Sequence, residues 1–358
     1  MGRLRGQGFP RDASPGWGAG AKPLQKNSFD RKRGPRKSKR GNTGRRTDRG
    51  AAFAGRGAGM AWNRPEAAET ERRSGTDGVP AAHAPFDLHL HSSYSDGSDR
   101  PVELVERAAA RGLTLAALTD HDCVDGVAEA VAAGEACGVR VLPSLEMDCE
   151  WPGELHILGL DVDITEPRLA AALETARRRR AERNIRILRM LRTAGYDIED
   201  RMTDDSGVMT RLHIALALAE AGYADSIRDA FRRYLNRGCI AYAAVERFPP
   251  REVVALILGA GGVPVWAHPL HGGDVNPHRL APLFRSYGLM GLEAYHPSAS
   301  EGQAELLVSV ARQNGLLITC GSDYHGVHRP DVAIGQTWRD VPALAECRAF
   351  FERRSVRR

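Results

Sequence analysis

The sequence has few cysteines, few aromatic residues and no long uninterrupted hydrophobic run. Its six cysteines form no CxxC pair, which argues against a disulfide framework or a thiolate zinc site and favours reduced thiols in a cytoplasmic protein. The most apolar window, residues 253–267, is broken by glycines and a proline. It is also shorter than the roughly 20 residues that cross a membrane, so we expect no span. The basic N-terminus lacks the apolar segment of a secretory signal.

Positive charge is concentrated at the start of the chain. Residues 1–50 hold 15 Lys and Arg against three Asp, a net of +12, and the total of +5 therefore leaves −7 for the remaining 308 residues. Residues 1–80 contain almost no aliphatic side chains, so we expect a disordered tail. One interpretation is a basic arm that contacts nucleic acid weakly. The other is a segment without function, either a solvated tail or upstream sequence translated from a misassigned start, with Met60 as the true start. This other interpretation is favoured, because charge runs alone are weak evidence for binding.

From residue 86 onward, short apolar runs alternate with amphipathic segments, which is typical of βα units around a parallel sheet. The pattern predicts an α/β fold with seven strands, at 86–91, 115–119, 139–145, 155–160, 263–267, 289–295 and 316–320. Between the fourth and fifth strands it predicts helices at 167–194, 212–221 and 226–235. The predicted divisions are a tail (1–80), the first part of the strand domain (81–164), an all-helical insertion (165–248) and the second part (249–358).

Two histidines in the first predicted strand indicate a metal site. His89 and His91 are two residues apart, so their side chains leave the same face of the strand. Asp96 follows in a Ser/Gly/Asp turn, where the chain can bend a carboxylate back over the strand end. A lone histidine in a strand is usually structural, but an HxH pair at a strand terminus favours a metal site.

Each of the other predicted strands also carries or ends in a side chain that binds metals. These residues are His121, Glu146, His156, His268, His296, and Asp323 with His325. The carboxyl ends of parallel barrel strands open onto one face, where enzymes of this architecture build their sites. The pattern therefore predicts one shared centre. Asp120 and Asp122 flank His121 and are expected to orient its ring.

The predicted ligand set indicates catalysis by several ions. Imidazoles with bridging carboxylates suit Mn, Fe or Zn better than Mg or Ca, and we expect two or three divalent ions, Mn first among them. About nine ligands exceed the four of a closed structural zinc site and imply open positions for water and substrate. Adjacent ions stabilise the attacking and leaving oxygens and supply a metal-bound hydroxide near neutral pH, as phosphoester hydrolysis requires.

The segments HLHSSYSDG (89–97), TDHD (119–122), Glu146, His156, AHP (267–269) and GSDYH (321–325) resemble the successive motifs of the PHP (polymerase and histidinol phosphatase) family. The resemblance spans about 86–335 and implies a distorted seven-stranded (β/α) barrel with an all-helical insertion between strands four and five. It implies three sets of metal ligands, namely His89, His91, Glu146 and Asp323; Glu146, His156 and His268; and Asp96, His121 and His325.

Within that family, the chain looks most similar to the branch that removes the 3′-phosphate of nucleoside 3′,5′-bisphosphates or trims RNA from its 5′ end. That branch has an arginine matching Arg211, whose guanidinium would hold the non-scissile phosphate. A second arginine common five positions later is Leu216 here, and His271 stands where some members have arginine, so the exact substrate stays open. His296 is expected to contact a ligand side chain or the substrate.

Two alternatives to a nucleotide phosphoesterase remain. A histidinol-phosphate phosphatase is less favoured, because the insertion suits a larger substrate. A non-catalytic metal-binding or interaction module, as some PHP domains in polymerases are, is less favoured because all nine ligand positions are filled. The arginine-rich segment 177–192 is interpreted as a solvated helix face rather than an RNA contact. His83, His278 and His328 are interpreted as surface residues, and no protein partner is indicated.

Overall fold

The computed structural model describes residues 85–202, 207–271 and 275–355, and the predicted tail (1–80) lies outside them. The strands of this part are β1 (Phe86–Leu90), β2 (Leu115–Leu118), β3 (Arg140–Pro143), β4 (Leu145–Asp148), β5 (His156–Leu160), β6 (Val263–Trp266), β7 (Gly291–Tyr295) and β8 (Leu317–Cys320). Its helices are α1 (Pro101–Ala110), α2 (Val127–Cys137), α3 (Pro167–Thr193), α4 (Arg211–Glu220), α5 (Ile227–Ala230), α6 (Pro250–Gly259), α7 (Pro277–Tyr287), α8 (Glu301–Gln313) and α9 (Pro342–Ser355). None of these helices combines the length and apolar character needed to cross a membrane.

The strands form two sheets. The first has the order β1-β2-β3 and is parallel. The second has the order β4-β5-β6-β7-β8, in which β5 is antiparallel to both neighbours and the other pairs are parallel. Isolated bridges from Leu90 to Tyr324 and from His121 to Glu146 join the two sheets. The α/β class predicted from the sequence is therefore confirmed.

The strands differ from the prediction in number and direction. The predicted third strand (139–145) is divided at Ser144 into β3 and β4, which belong to different sheets. The connection from β4 to β5 is only seven residues long, too short for a crossover, so β5 runs antiparallel. His156 thus starts its strand instead of ending one. His156 still lies beside the carboxyl ends of β4 and β6. Asp148 of β4 is its partner in the sheet, and the backbone N–H of Ala267 donates a hydrogen bond to the carbonyl of His156.

Three apolar clusters stabilise the part of the chain that the structure describes. The largest packs β4–β8 against α6–α9 and includes Trp266, Phe284 and Phe351, all almost completely buried. The second packs β1–β3 against α1 and α2. The third joins the far half of α3 to α4 and α5 through residues such as Ile187 and Leu218. Each fully buried large side chain contributes about 1.5–3 kcal/mol. The far half of α3 therefore forms a separate core with α4 and α5.

Arginines of α3 attach this helix to the strands. Arg180 is buried and pairs with Asp122 and, at 3.2 Å, with Asp148 of β4. Arg177 pairs with Asp125 at 2.9 Å. The interpretation of this arginine-rich segment as a solvated face is therefore wrong for its first turns, because their guanidinium groups neutralise carboxylates at the strand ends.

Candidate metal centre

The nine predicted ligand side chains converge at the ends of the strands. His89 lies in β1, Glu146 in β4 and His156 at the start of β5, and the others follow strands directly or lie in the loop after β1. All are buried except His121, which is half-buried. Their ligand atoms form four groups, each within 4.8 Å: His91, Asp96, His121 and His325; His89, His91 and Asp323; His89, Glu146 and His268; and His121, Glu146 and His156. The structure therefore brings all nine together.

Glu146 lies at the centre of the cluster. Its Oε1 is 3.0 Å from His156 Nδ1 and 3.1 Å from His268 Nε2. Its Oε2 is 3.4 Å from His89 Nε2, 3.3 Å from His91 Nε2 and 3.2 Å from His121 Nδ1. A carboxylate surrounded by five imidazoles on both oxygens has the position of a bridging ligand.

Several of the nitrogen and oxygen atoms in the cluster are placed to bind divalent cations, because some of them lack a hydrogen-bond partner within the cluster. His89 Nε2 and His91 Nε2 are 3.1 Å apart. Because His89 Nδ1 bonds to a carboxylate of Glu293, the Nε2 of the neutral His89 ring carries a lone pair. His121 Nδ1 and Asp148 Oδ1 are buried and face each other at 3.4 Å without a hydrogen bond. Such unsatisfied buried atoms are expected where an ion completes the shell.

Electrostatic coupling keeps the carboxylates ionised. Burial raises the pKa of Glu146, but the neighbouring His121, His156 and His89 hold this pKa well below its usual range. Burial lowers the pKa of His91, but hydrogen bonds with Asp323 and Glu146 raise it to about 10. The pKa of His156 likewise rises to about 9 despite burial, because of Glu146 and Asp148. The cluster therefore requires positive charge, which protons or metal ions can supply.

Glu293 was missed by the sequence analysis. Its Oε1 accepts a hydrogen bond from His89 Nδ1 at 3.1 Å, and its Oε2 accepts one from the backbone N–H of His268 at 2.8 Å. The signal was a glutamate inside the apolar strand β7, where it is fully buried. Gly321 makes room for this pair, because a Cβ there would lie 2.2 Å from both Glu293 Oε1 and His89 Cβ.

Asp323 is held from two sides. His296 Nε2 lies 3.3 Å from Asp323 Oδ2, and Arg329 forms an ion pair with the same carboxylate. Asp323 and His268 adopt left-handed backbone conformations, with φ of 52° and 27°, which are unfavourable for residues with a Cβ and often occur at functional sites. Among the described residues, His296 is in none of the four groups, and its predicted role beside a ligand or the substrate stays a prediction.

The expected role of Asp120 and Asp122 is wrong. Asp120 accepts hydrogen bonds from the backbone and hydroxyl of Ser92 and from Ser95 Oγ, at 2.6–2.8 Å. Asp122 pairs with Arg180. These two side chains fix the loop after β1 and the helix α3 instead.

A cavity of about 570 Å³ opens above the cluster. Seven predicted ligands form its floor, and Leu212, Ile227 and Arg228 contribute from the helices between β5 and β6. His271, His328 and Arg329 also line the cavity, so the interpretation of His328 as a surface residue is wrong. The volume suits a nucleotide-sized ligand.

Arg211 lies at the start of α4, with its guanidinium 5.5 Å from the centre of the Phe231 ring. It is half-buried and is not among the residues that line the cavity. Burial lowers the pKa of Arg211, Glu154 opposes this, and nearby Arg247 and Arg180 lower the pKa further. Its contact with a substrate phosphate stays a prediction.

Comparison with known proteins agrees with this geometry. The PHP domain family matches residues 87–236. The chain is 36% identical over 281 residues to the 3′,5′-nucleoside bisphosphate phosphatase of Chromobacterium violaceum, covering 76% of this chain and 98% of that protein. It is 34% identical over 247 residues to the 5′-3′ exoribonuclease of Haemophilus influenzae, covering 67% and 89%.

Two solved structures share the fold over most of their length. An amidohydrolase from Chromobacterium violaceum with bound sulfate has a TM-score of 0.68 and 35% identity, covering 74% of this chain and 97% of that one. A protein from Bifidobacterium adolescentis described as a metal-dependent phosphoesterase has a TM-score of 0.65 and 29% identity, covering 74% and 96%. With relatives above 30% identity aligned over nearly their whole length, the chain belongs to the PHP family of metal-dependent phosphoesterases.

Proposed function

We propose that this protein hydrolyses a phosphate ester of a nucleotide, either the 3′-phosphate of a nucleoside 3′,5′-bisphosphate or the 5′ end of an RNA. The observation that carries the proposal is the shared cavity, whose floor is the ligand cluster and whose wall includes Leu212, Ile227 and Arg228. A phosphate at the floor would leave the nucleoside against the apolar side chains of that wall. The functions named for the relatives support the same substrate class.

The proposal assigns the nine residues to two or three divalent ions, with Mn favoured by the mixture of imidazole and carboxylate donors. The sets are His89, His91, Glu146 and Asp323; Glu146, His156 and His268; and Asp96, His121 and His325. When bound, the ions would polarise the phosphoryl group and provide a nucleophile at neutral pH. The observed groups of close ligand atoms support the first and third sets, and the central position of Glu146 supports its bridging role.

The residues of the chain itself hold the ligands in place. Glu293 fixes the tautomer of His89, and Arg329 and His296 hold the carboxylate of Asp323. Leu212 and Ile227 give one side of the cavity an apolar surface. These contacts preorganise the site, so less reorganisation is needed when the substrate binds.

Arg211 is proposed to bind the phosphate that does not react. Positive charge is concentrated around it: burial and the neighbouring Arg180 and Arg211 hold the pKa of the buried Arg183 well below its usual value. A bound anion beside Arg211 would relieve part of this repulsion. The sulfate in the related structure from Chromobacterium violaceum shows that a phosphate-like anion binds to that protein.

The proposed reaction can be tested by adding Mn to the purified protein with adenosine 3′,5′-bisphosphate, 5′-phosphorylated RNA or histidinol phosphate. Released phosphate and nucleotide would be measured for each substrate. We expect turnover of one or both of the nucleotide substrates to exceed that of histidinol phosphate by at least tenfold. Equal turnover of all three, or preference for histidinol phosphate, would contradict the nucleotide assignment while leaving a phosphoesterase.

We also propose a seven-stranded barrel in which β3 and β4 count as one bent strand. The two isolated bridges between the sheets support this closure. The separate core of α3–α5 supports an insertion at 165–248, between 81–164 and 249–358.

A cytoplasmic location, and weak contact of the residue 1–80 tail with nucleic acid, remain predictions from composition.

A further inference from the structure

A second cavity of about 330 Å³ lies on the other side of α4. His213, Leu216, Ala217 and Glu220 line it, and their spacing of three and four residues places them on one face of the helix. The preceding residue, Leu212, lines the cavity above the metal ligands instead. A single helix thus separates two cavities that present different side chains to it.

His328 lines both cavities. His328 Nδ1 donates a hydrogen bond to the backbone carbonyl of Asp96 at 2.9 Å. The carboxylate of the same Asp96 lies 3.2 Å from His325 Nε2, within one of the groups of ligand atoms. The second cavity therefore begins next to a residue of the metal centre.

Hydrogen bonds orient two imidazole rings in its wall. His328 donates from Nδ1 to a carbonyl, which leaves Nε2 as its second polar atom. His213 Nδ1 accepts from the backbone N–H of Thr210 at 3.0 Å, so its proton is on Nε2, a donor. Burial lowers the pKa of His213, which keeps that ring neutral. The cavity is thus lined by two flat aromatic rings that each have a second polar nitrogen, Nε2.

The rest of the wall combines two serines, Ser93 and Ser98, with apolar side chains and one pair of opposite charges. Leu216 and Ala217 give an apolar surface, and the exposed Arg201 and Glu220 carry opposite charges at the rim. A phosphate would gain little net attraction there. A flat neutral group with hydrogen-bonding edges fits this chemistry, and a nucleobase is such a group.

We propose that this cavity binds the base of a second nucleoside, which is joined to the first through the phosphate at the metal centre. The substrate class is then an oligonucleotide of at least two nucleosides. This inference rests on the proposed function, because it requires a nucleotide phosphate to be bound at the cluster. Stacking on imidazole and contact with Leu216 would stabilise the base, as aromatic side chains do in single-stranded RNA recognition.

The test fills the cavity with Leu216→Trp and uses Leu306→Trp as its matched control. Leu306 is an exposed leucine on α8 and lines neither cavity. Three substrates are compared with Mn present: adenosine 3′,5′-bisphosphate, 5′-phosphorylated diadenylate, and the same dinucleotide without its second base. His213→Gln provides a second variant, because glutamine at this helix position preserves the capping box with Thr210 while removing the ring.

In the wild type, we expect kcat/KM for the dinucleotide to be about tenfold higher than kcat/KM for the form without its second base. This is roughly the effect of one base stacking on an aromatic side chain. Leu216→Trp should reduce this ratio to about one and leave the bisphosphate within twofold, and Leu306→Trp should change neither. His213→Gln should reduce the ratio in the same direction.

If the wild type hydrolyses the bisphosphate but does not distinguish the two dinucleotides, the inference is wrong and the proposed function stands. If the wild type hydrolyses none of the three, both fail. A melting temperature of Leu216→Trp equal to that of the control variant establishes that the lost preference comes from the cavity.

Discussion

Glu293 Oε1 accepts the Nδ1–H of His89 at 3.1 Å, although 204 residues separate the two in the sequence. The same glutamate bonds to the backbone of His268, so one buried carboxylate fixes two strand ends of the metal centre. Such partners of ligating histidines typically affect metal affinity by 10- to 100-fold, which makes this contact a direct test of the centre.

We predict that Glu293→Gln weakens Mn binding about tenfold or more, because the neutral amide makes His89 a poorer ligand. Metal affinity would be measured by competition with a chelator. Excess Mn should restore most of the activity, since the ligands themselves remain. Glu301→Gln, on the exposed start of α8, is the control and should change neither quantity. Unchanged affinity in Glu293→Gln would show that the contact only packs the strand.

Removal of one ligand should remove metal and activity together. We predict that His89→Ala and Asp323→Ala each lose most of both, because an incomplete ligand set weakens the Lewis acidity of the ion. Elemental analysis of the purified variants and assay of the same samples provide the measurement. His278→Ala changes an exposed histidine and should match the wild type. Full activity in metal-free wild-type protein would refute the proposed chemistry.

Arg211 should govern recognition rather than chemistry. Arg211→Ala is expected to raise KM for a nucleoside 3′,5′-bisphosphate roughly ten- to hundredfold, the effect of losing a charge-assisted contact of about 1.5–3 kcal/mol. An aryl phosphate lacks the second phosphate, so its turnover should be spared. Arg178→Ala, an exposed arginine of α3, is the control. An equal loss on both substrates would mean that Arg211 is structural or acts at the reacting phosphate.

The buried pair between Arg180 and Asp148 should matter for stability. Arg180→Met would leave the carboxylates of Asp122 and Asp148 without this counter-charge, and we expect a loss of about 3–5 kcal/mol in the free energy of unfolding. Chemical denaturation of the variant against the exposed Arg189→Met on the same helix measures this difference. A loss below about 1 kcal/mol would indicate that Arg247, 3.0 Å from Asp148, compensates.

Deletion of residues 1–80 should leave the melting temperature and the turnover of small substrates unchanged, because that composition cannot contribute an apolar core. Thermal unfolding and the phosphate-release assay of the shortened chain provide the measurement. A fall of several degrees in the melting temperature would contradict the prediction.

The sequence identified the nine clustered side chains because residue type and position at a strand end are visible without a structure. His89 and His91 share one face of the first strand, most of the other residues lie near strand ends, and the resemblance to the PHP family separated the nine ligands from His296. It did not identify Glu293 or the pair between Arg180 and Asp148. The role of such a charged side chain can be assigned only when its partner, which is distant in the sequence, is known. The direction of β5 was missed for a different reason, since apolar runs do not encode whether neighbouring strands are parallel.

The antiparallel hairpin of β4 and β5 also has a consequence for the order of folding. Glu146 and His156 are ten residues apart and meet within one local turn, whereas His89 reaches Glu293 only after a long loop closes. Loop-closure entropy makes the first contact fast and the second slow. A divalent ion present during refolding would therefore meet this pair of ligands on the hairpin before β1 brings His89 to the cluster.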